Sequence, residues 1–521
     1  MGFCVSLFSI VDTPSDIREY MGISYIKTYL KSKGLDCDAR VICKDEMDEV
    51  LSSYREFPKL IGISIYCNTQ ELVKLFCRKI KEISPSCHIV LGGAHVMGYE
   101  VDILSRMEHV DSVCTGDGEE TIWKLANRLA QQKSLLNCNG ITFRNGDKII
   151  QNERRPDIKN LNLLPHPDRE RNPKNKKRYF YITGSRGCLG QCSFCGEHKT
   201  GGCGVRLRDP IDIVDEMEEL WKQYGVDKFH FTDATFEDPG NKGTQRAQKI
   251  FLELIARQLK FRLVMYTRTN IINKMDEDYY DLAYKAGVEC FFVGVESGNQ
   301  SDLYLYEKKI TVQDNLKAIK KVLDHHIYVN YGFICFNPYS TFEKIQANLD
   351  FLYQSGLVYN SYHILSKMTI MPQSFLKDKM LEDKLIDEFH FDSDIRDYKF
   401  VHPEVLEFHS SIYNIVDTEH LIDIDSQIAI DHIHYRKNEP LFYDQQLKST
   451  FEEIEGIWNL RNHYLYNFFT EAIRIFKMDR NRDRFTDYIR NNKIYEYNKR
   501  IKTLYQRYTI ILYKHFKKKG I

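Results

Sequence analysis

Short apolar runs alternating with helical periods, twice over, constrain this 521-residue chain more than any other feature. Within residues 1–150 the strand patterns are GFCVSLFSIV, CDARVIC, KLIGISIYC, HIVLGG and SVCTG, with amphipathic segments between them. One of those segments, Glu19 to Lys33, follows the loop Asp12–Arg18 and stops at Gly34, a position that favours the left-handed helix cap. Five such units predict an open, doubly wound, Rossmann-like sheet, whose ligands bind outside the carboxyl ends of its strands. From residue 179 the alternation resumes with YFYITGS, KFHFTDATF (228–236), FRLVMYTR (261–268), ECFFVGVESG (289–298), IYVNYGFICF (327–336) and SYHILSKMTIMP (361–372). Between the first two, PIDIVDEMEELWKQY (210–224) carries Ile213, Val214, Met217, Leu220 and Trp221 at helical spacing, with Pro210 at a helix start. Six β/α units predict a parallel sheet curled into a partial (β/α)6 TIM-type barrel, with its chemistry at the carboxyl strand ends. The chain reads as α/β: a first domain at 1–150, a linker at 151–178, the barrel at 179–375 and a mainly α-helical region at 376–521.

Composition narrows the function. Lys+Arg and Asp+Glu are both 73, so no global field draws the chain to nucleic acid or an anionic membrane. The apolar run Val5 to Val11 before Pro14 suits a buried strand better than a signal peptide, and no stretch approaches the roughly 20 apolar residues of a membrane span. The chain is expected to be cytoplasmic. In that compartment its 14 cysteines form no disulfide framework, and most stand singly in apolar surroundings as small hydrophobes.

Cys188, Cys192 and Cys195 are the exception. They lie within eight positions of TGSRGCLGQCSFCGEH, spaced C-x3-C-x2-C, among Gly184, Gly187, Gly190 and Gly196, which let backbone wrap a compact object. A zinc site takes four protein ligands, and Cys203 or His198 is available as a fourth. An iron–sulfur cluster with three thiolates instead leaves one iron open for a substrate or cofactor.

The spacing, with Phe194 just before the last cysteine, resembles the signature of the radical S-adenosylmethionine (SAM) enzymes. The resemblance implies a [4Fe–4S] cluster on Cys188, Cys192 and Cys195, with SAM on the open iron. It also implies SAM contacts at Phe194, at Thr232 and Asp233 in FTDATF, at Arg268, and at Glu296 and Ser297 in GVESG. For the charged residues the alternative is a structural ion pair. GFICFNP resembles the family's G-F-I-x-G-x-P, but Phe336 stands where glycine is usual, so the adenine-side contact on this strand departs from the pattern.

The first domain has no G-x-G-x-x-G after its first strand and no Walker A lysine. Its strand ends, SIYCNTQ, LGGAHVMG and CTGDGEET, form turns through which backbone can approach a large flat ligand. G-G-x-H followed by G-D-G-E-x-T, upstream of the cysteine loop, resembles the B12-binding domain of cobalamin-dependent radical SAM enzymes. That resemblance covers residues 1–375 and implies corrin contacts at Ser64, Tyr66, Asn68, Thr69, Gly92, Gly93, His95, Thr115, Gly116, Gly118 and Glu119. The D-x-H-x-x-G motif of a lower axial histidine is absent, so base-off cobalamin without a protein imidazole is expected. His95 is then either a corrin contact or a turn histidine bonded to backbone.

The implied reaction is methylation of an unactivated carbon in a small-molecule or peptide precursor, through a 5′-deoxyadenosyl radical and methylcobalamin, with an electron donor such as flavodoxin or ferredoxin. Three alternatives stand beside it: a non-methylating rearrangement, cyclisation or dehydration; a first domain that is mere scaffold; and a non-enzymatic zinc or partner-binding protein. Residues 376–521 match no known pattern. Their stripe Ile501, Leu504, Tyr505, Tyr508, Ile511 and Leu512 predicts a helix packed on a core, and the basic residues Lys517 to Lys519 a solvated face, with a docking surface for an acidic or peptide partner as the alternative.

Overall fold

The computed structural model describes residues 3–13, 19–169, 179–200, 204–356, 361–418, 445–478 and 482–518. Part of the loop Asp12–Arg18, Cys203, the side chain of Leu512 and the side chains of Lys517 to Lys519 lie outside the described residues.

The first sheet contains β1 (Cys4–Val11), β2 (Asp36–Cys43), β3 (Leu60–Ser64), β4 (His88–Gly92) and β5 (Ser112–Cys114). They are parallel in the order β2-β1-β3-β4-β5, the flavodoxin-like doubly wound order. Both faces are covered by helices: α1 (Met21–Ser32), α2 (Met47–Ser52), α3 (Gln70–Ile83), α4 (Glu100–Arg106) and α5 (Gly118–Ala130). Hence β1 is buried along nearly its whole length, and it is apolar on both faces except at the buried Ser6 and Ser9. The predicted stop of α1 holds, with Lys33 closing on Tyr29 and Leu30 and Gly34 at φ 78°. Sequence alternation gave no warning of the hairpin β6 (Ile141–Asn145) and β7 (Lys148–Gln151), which adds two antiparallel strands to the edge beside β5.

The second sheet is parallel, in the order β14-β13-β12-β11-β8, formed by β8 (Phe180–Ile182), β11 (Lys228–Phe231), β12 (Arg262–Arg268), β13 (Val288–Glu296) and β14 (Tyr328–Phe333). Between β8 and β11 runs a two-stranded antiparallel ribbon, β9 (Ser185–Arg186) and β10 (Arg206–Leu207). Alternation along β12 sends Leu263 and Met265 into the helix-side core and Val264, Tyr266 and Arg268 to the concave face. The helix over 210–224 forms as predicted, with Asp209 accepting the Ile211 N–H, Pro210 first and Gly225 left-handed at its end.

The predicted sixth strand does not form. Residues 361–364 are helical, and the segment's backbone pairs with β14's extension at Phe336, which bonds Ser366 and Met368, while the Ser366 hydroxyl accepts the Cys335 N–H and donates to Phe333 O. Beyond that bridge Ile370 donates to Ile395 instead, so the backbone bonds that would extend the ladder go to an irregular segment. The barrel therefore has five strands and one bridge.

The C-terminal region is mainly helical, with helices at Phe375–Glu382, Pro403–Thr418, Gln445–Met478, Asp483–Arg490 and Ile494–Lys518. Ile501 and Tyr508 are buried against Leu447, Ile454 and Trp458, as the stripe requires. Phe336 packs edge-on to His409, 4.7 Å between centroids, so its bulk joins this region to the barrel. Phe391 is buried in the core of the first domain, with its N–H donated to Asp102 at 2.7 Å. Among the described residues no helix is long and apolar enough to cross a membrane.

Candidate active site

The cysteine loop leaves β9 and returns through β10, so its ends are held as one ribbon with Arg186 opposite Arg206. A Cβ on Gly190 would stand 3.2 Å from Cys188 Sγ, 3.8 Å from Cys192 Sγ and 3.6 Å from Arg268 Nη1. Glycine there lets two thiols and a guanidinium converge. The Gly190 N–H points at Cys188 Sγ (3.2 Å) and the Glu197 N–H at Cys195 Sγ (3.4 Å). Burial pushes the Cys195 thiol up to about 11 against that N–H, and raises Cys192 against the Lys308 cation. Thiols that are partly buried, unbridged and met by backbone N–H groups suit a metal that takes them as thiolates. The donor set therefore fits a cluster with three protein ligands. His198, the other candidate fourth ligand, stacks on Phe375 with centroids 4.8 Å apart.

Phe194 meets the buried Tyr306 ring edge-on at 5.3 Å, and Ser193 bonds to the backbone of Leu305 and Tyr306. That turn carries Lys308. Glu307 and Lys309 on either side have φ 56° and 54°, rare left-handed values for such residues. The Lys308 ammonium, 6% exposed, stands 3.3 Å from Glu296 Oε1. Glu296 is itself left-handed, at φ 65°, where the β13–β14 register slips. Its carboxylate lies over Gly294 and Gly332, paired across the two strands: a Cβ on either would come within 3.0 Å of it. Strain at three residues and glycine at two place this ion pair at the barrel mouth. Sequence reasoning missed Lys308, since a charged YEKK turn looks like any solvated one.

Arg268 donates to Asp238 at 2.6 Å, and Asp238 accepts the Leu189 N–H of the cysteine loop at 3.2 Å. Asp233 is wholly buried, taking the Gly184 N–H, the Ser185 hydroxyl and Arg246 within 2.9 Å. Ser297 is wholly buried as well, donating to Asn348 and accepting from the Asn299 N–H. Thr232 bonds Thr183 at 3.0 Å. The fold thus gathers Arg268, Glu296 and Lys308 around the cysteine loop, while Asp233 and Ser297 brace the backbone behind it.

At the carboxyl ends of the first sheet lies a cavity of about 270 Å³. Ser64, Gly92, Gly93, Gly116, Gly118 and Glu119 line it, together with Thr183 and Arg186 from the barrel. Gly93 has φ 105°, and a Cβ there would stand 3.0 Å from Ile65 O. Cβ atoms on Gly62 and Gly118 would reach 2.7 Å from Leu7 and Ile26. A slot kept open by glycines would take one face of a large cofactor such as cobalamin, the bulk of which would extend beyond it. Thr115, Tyr66, Asn68 and Thr69 lie outside the cavity wall. Thr115 donates its N–H to Gly140 O, Thr69 and Tyr66 bond each other at the start of α3, and Asn68 is exposed beside them. His95 also turns away: its Nε2–H donates to Phe391 O at 3.2 Å, and burial lowers its pKa. The bond is of the kind expected of a turn histidine held by backbone.

The two mouths are joined by salt bridges. Arg186 donates to Asp117 at 3.0 Å and to Glu119 at 2.5 Å, and Arg206 bonds the same Asp117. Burial alone would raise the Asp117 pKa; the Arg206 bond and both cations override it and hold it low.

Family comparison matches residues 182–352 to the radical SAM superfamily and residues 10–126 to the B12 binding domain. The chain is similar to an uncharacterized methyltransferase of Pyrococcus horikoshii, 22% identical over 66% of this chain and 75% of the relative. It is also similar to the anaerobic magnesium-protoporphyrin IX monomethyl ester cyclase of Rubrivivax gelatinosus, 28% identical over 60% of this chain and 58% of the relative. The fold matches the cobalamin-dependent SAM radical enzyme OxsB with aqua-cobalamin bound, at TM-score 0.71 and 17% identity, over 99% of this chain and 80% of that one.

Proposed function

We propose, for a chain that belongs to the radical SAM superfamily and carries a B12-binding domain, that it methylates an unactivated carbon of a small-molecule or peptide substrate. The observation behind this reading is the cavity lined by both domains, in which Gly92, Gly93 and Glu119 of one face Thr183 and Arg186 of the other. Bound together, the cluster and SAM supply a 5′-deoxyadenosyl radical, and cobalamin supplies a methyl group.

The chain's own residues position these groups. Cys188, Cys192 and Cys195 take three irons and leave the fourth for SAM. Glu296 and Lys308 present opposite charges 3.3 Å apart, complementary to the ammonium and carboxylate of SAM's methionine. Arg268, tied to Asp238, adds a second cation on the same side. An electron donor such as flavodoxin or ferredoxin would reduce the cluster, and Leu189 on the cysteine loop is 49% exposed. The likeness to the cyclase favours a second reading, ring formation without methyl transfer.

Anaerobic reconstitution with iron, sulfide and hydroxocobalamin, followed by incubation with SAM, dithionite and candidate substrates, separates the two. Methyl transfer yields S-adenosylhomocysteine beside 5′-deoxyadenosine. 5′-Deoxyadenosine together with a ring-closed, unmethylated product, with the corrin bound, would support the cyclisation reading, and no corrin absorbance would leave the first domain a scaffold.

A further inference from the structure

We propose that Asp117 is a latch through which occupancy of the first domain's cavity sets the position of the cysteine loop. Asp117 is the residue just before α5, and its carboxylate takes both arginines of the β9–β10 ribbon, Arg186 and Arg206. Those arginines are register partners at the two ends of the cysteine loop, and Arg186 is two residues from Cys188. One carboxylate of the first domain therefore pins both ends of the cluster-bearing loop. The grip is reinforced on each side: Glu119 takes Arg186, Ile158 O accepts from Arg206, and the Ile158 N–H donates to Asp117 at 2.8 Å. Tyr25 lies under Arg186, 5.1 Å from its ring centre.

The same residues are the wall of the cavity. Tyr25, Asp117, Glu119 and Arg186 all line it, so a ligand that fills the cavity presses on the groups that hold the loop. Charge-assisted bonds in a largely buried setting have few alternative arrangements, which favours two discrete loop states over gradual drift. Asp117 acts through the arginines and is a positioning residue.

The inference rests on the cobalamin reading, and the test keeps the two apart. Hydrogen exchange is measured on the full chain reconstituted with iron and sulfide, without SAM, before and after addition of hydroxocobalamin. In the wild type, cobalamin slows exchange at 91–119 and also at 185–199, by about 5- to 150-fold at the second site, the range of ordinary coupling between sites. In Asp117→Asn, compared at a hydroxocobalamin concentration that saturates the slowing at 91–119 in each protein, the slowing at 185–199 falls below about twofold, with iron content unchanged. Arg206→Gln, which frees one end of the loop and leaves Asp117, Arg186 and Glu119 together, gives an intermediate value and serves if Asp117→Asn does not fold. Undiminished transmission in both variants overturns the latch. If the wild type shows no slowing at 91–119, the cobalamin reading fails by itself. The latch is then decided by cofactor-free exchange at 185–199: faster in the variants if Asp117 holds the loop, unchanged if it does not.

Discussion

The two parallel sheets end in mouths made by opposite means. The first opens by omission: Gly62, Gly92, Gly93 and Gly118 withhold side chains, and the wall is largely backbone and apolar carbon. The second is made by addition, with three thiols, Arg268, Glu296 and Lys308 projected into one space by turns that hold Glu296, Glu307 and Lys309 left-handed. A large ligand held over much of its surface needs space and backbone. A small polar ligand and a cluster need fixed charges and donors, and there the strain in the chain is concentrated.

This contrast predicts graded responses. The largest belongs to the thiols: Cys188→Ala, Cys192→Ala or Cys195→Ala abolishes both the iron content and SAM cleavage, while corrin binding to the first domain survives. Loss of corrin binding in these variants would mean that the mouths are not separable.

The glycines come next, and they divide. A Cβ on Gly92 meets only ordinary contacts, the nearest at 3.8 Å, whereas Gly93 is already committed by its φ. Gly92→Leu therefore fills the cavity without straining the chain. Over-packing of ~1–3 kcal/mol weakens cobalamin about 5- to 150-fold in a visible-absorbance titration, with four irons per chain retained. Gly93→Leu lowers the melting temperature as well.

A smaller effect is expected at the charged pair. Glu296→Ala removes a bond to a charged group, ~1.5–3 kcal/mol, so SAM binds about ten- to hundredfold more weakly while the cluster's absorbance stays. Lys308→Met falls in the same range. Unchanged SAM affinity in either would return the pair to a structural role.

The smallest effect tests the connector between the sheets. His166 bonds Asp212 and Glu219, which raise its pKa to about 9 against desolvation. A histidine with a raised folded pKa adds stability that is complete below its unfolded value near 6.5 and is lost as pH rises through about 9. With a quarter of the side chain exposed, the loss is ~1–2 kcal/mol. Thermal melts at pH 6.5 and 9 should differ more in the wild type than in His166→Gln.

Local pattern made much of this legible. Both alternations, the three cysteines and the glycine turns at 92–93 and 116–118 follow rules of spacing that a single sequence displays. What stayed hidden depends on distant partners. Residues 361–372 have strand composition, yet they keep only the bridge at Phe336, and Ile370 donates to Ile395, which no local pattern announces. The hairpin Ile141–Gln151 is short, and its second strand returns through a turn with no helix between the two strands. Asp233 and Ser297 look like site residues because they end strands, but Arg246 and Asn348 face them from other elements and occupy them. Lys308 becomes visible only once Glu296 is seen above two glycines.

The burial of Phe391 has a consequence in time. The first domain leaves the ribosome long before residue 391 exists, and its core keeps an apolar slot that only this later ring fills. At about 5–20 residues per second, roughly 10–50 s of synthesis separate the end of α5 from the ring's arrival. During that interval the domain lacks one ring of its core, so part of its final stability comes from the last third of the chain, and shortening the protein at residue 375 removes that ring from a domain more than two hundred residues away.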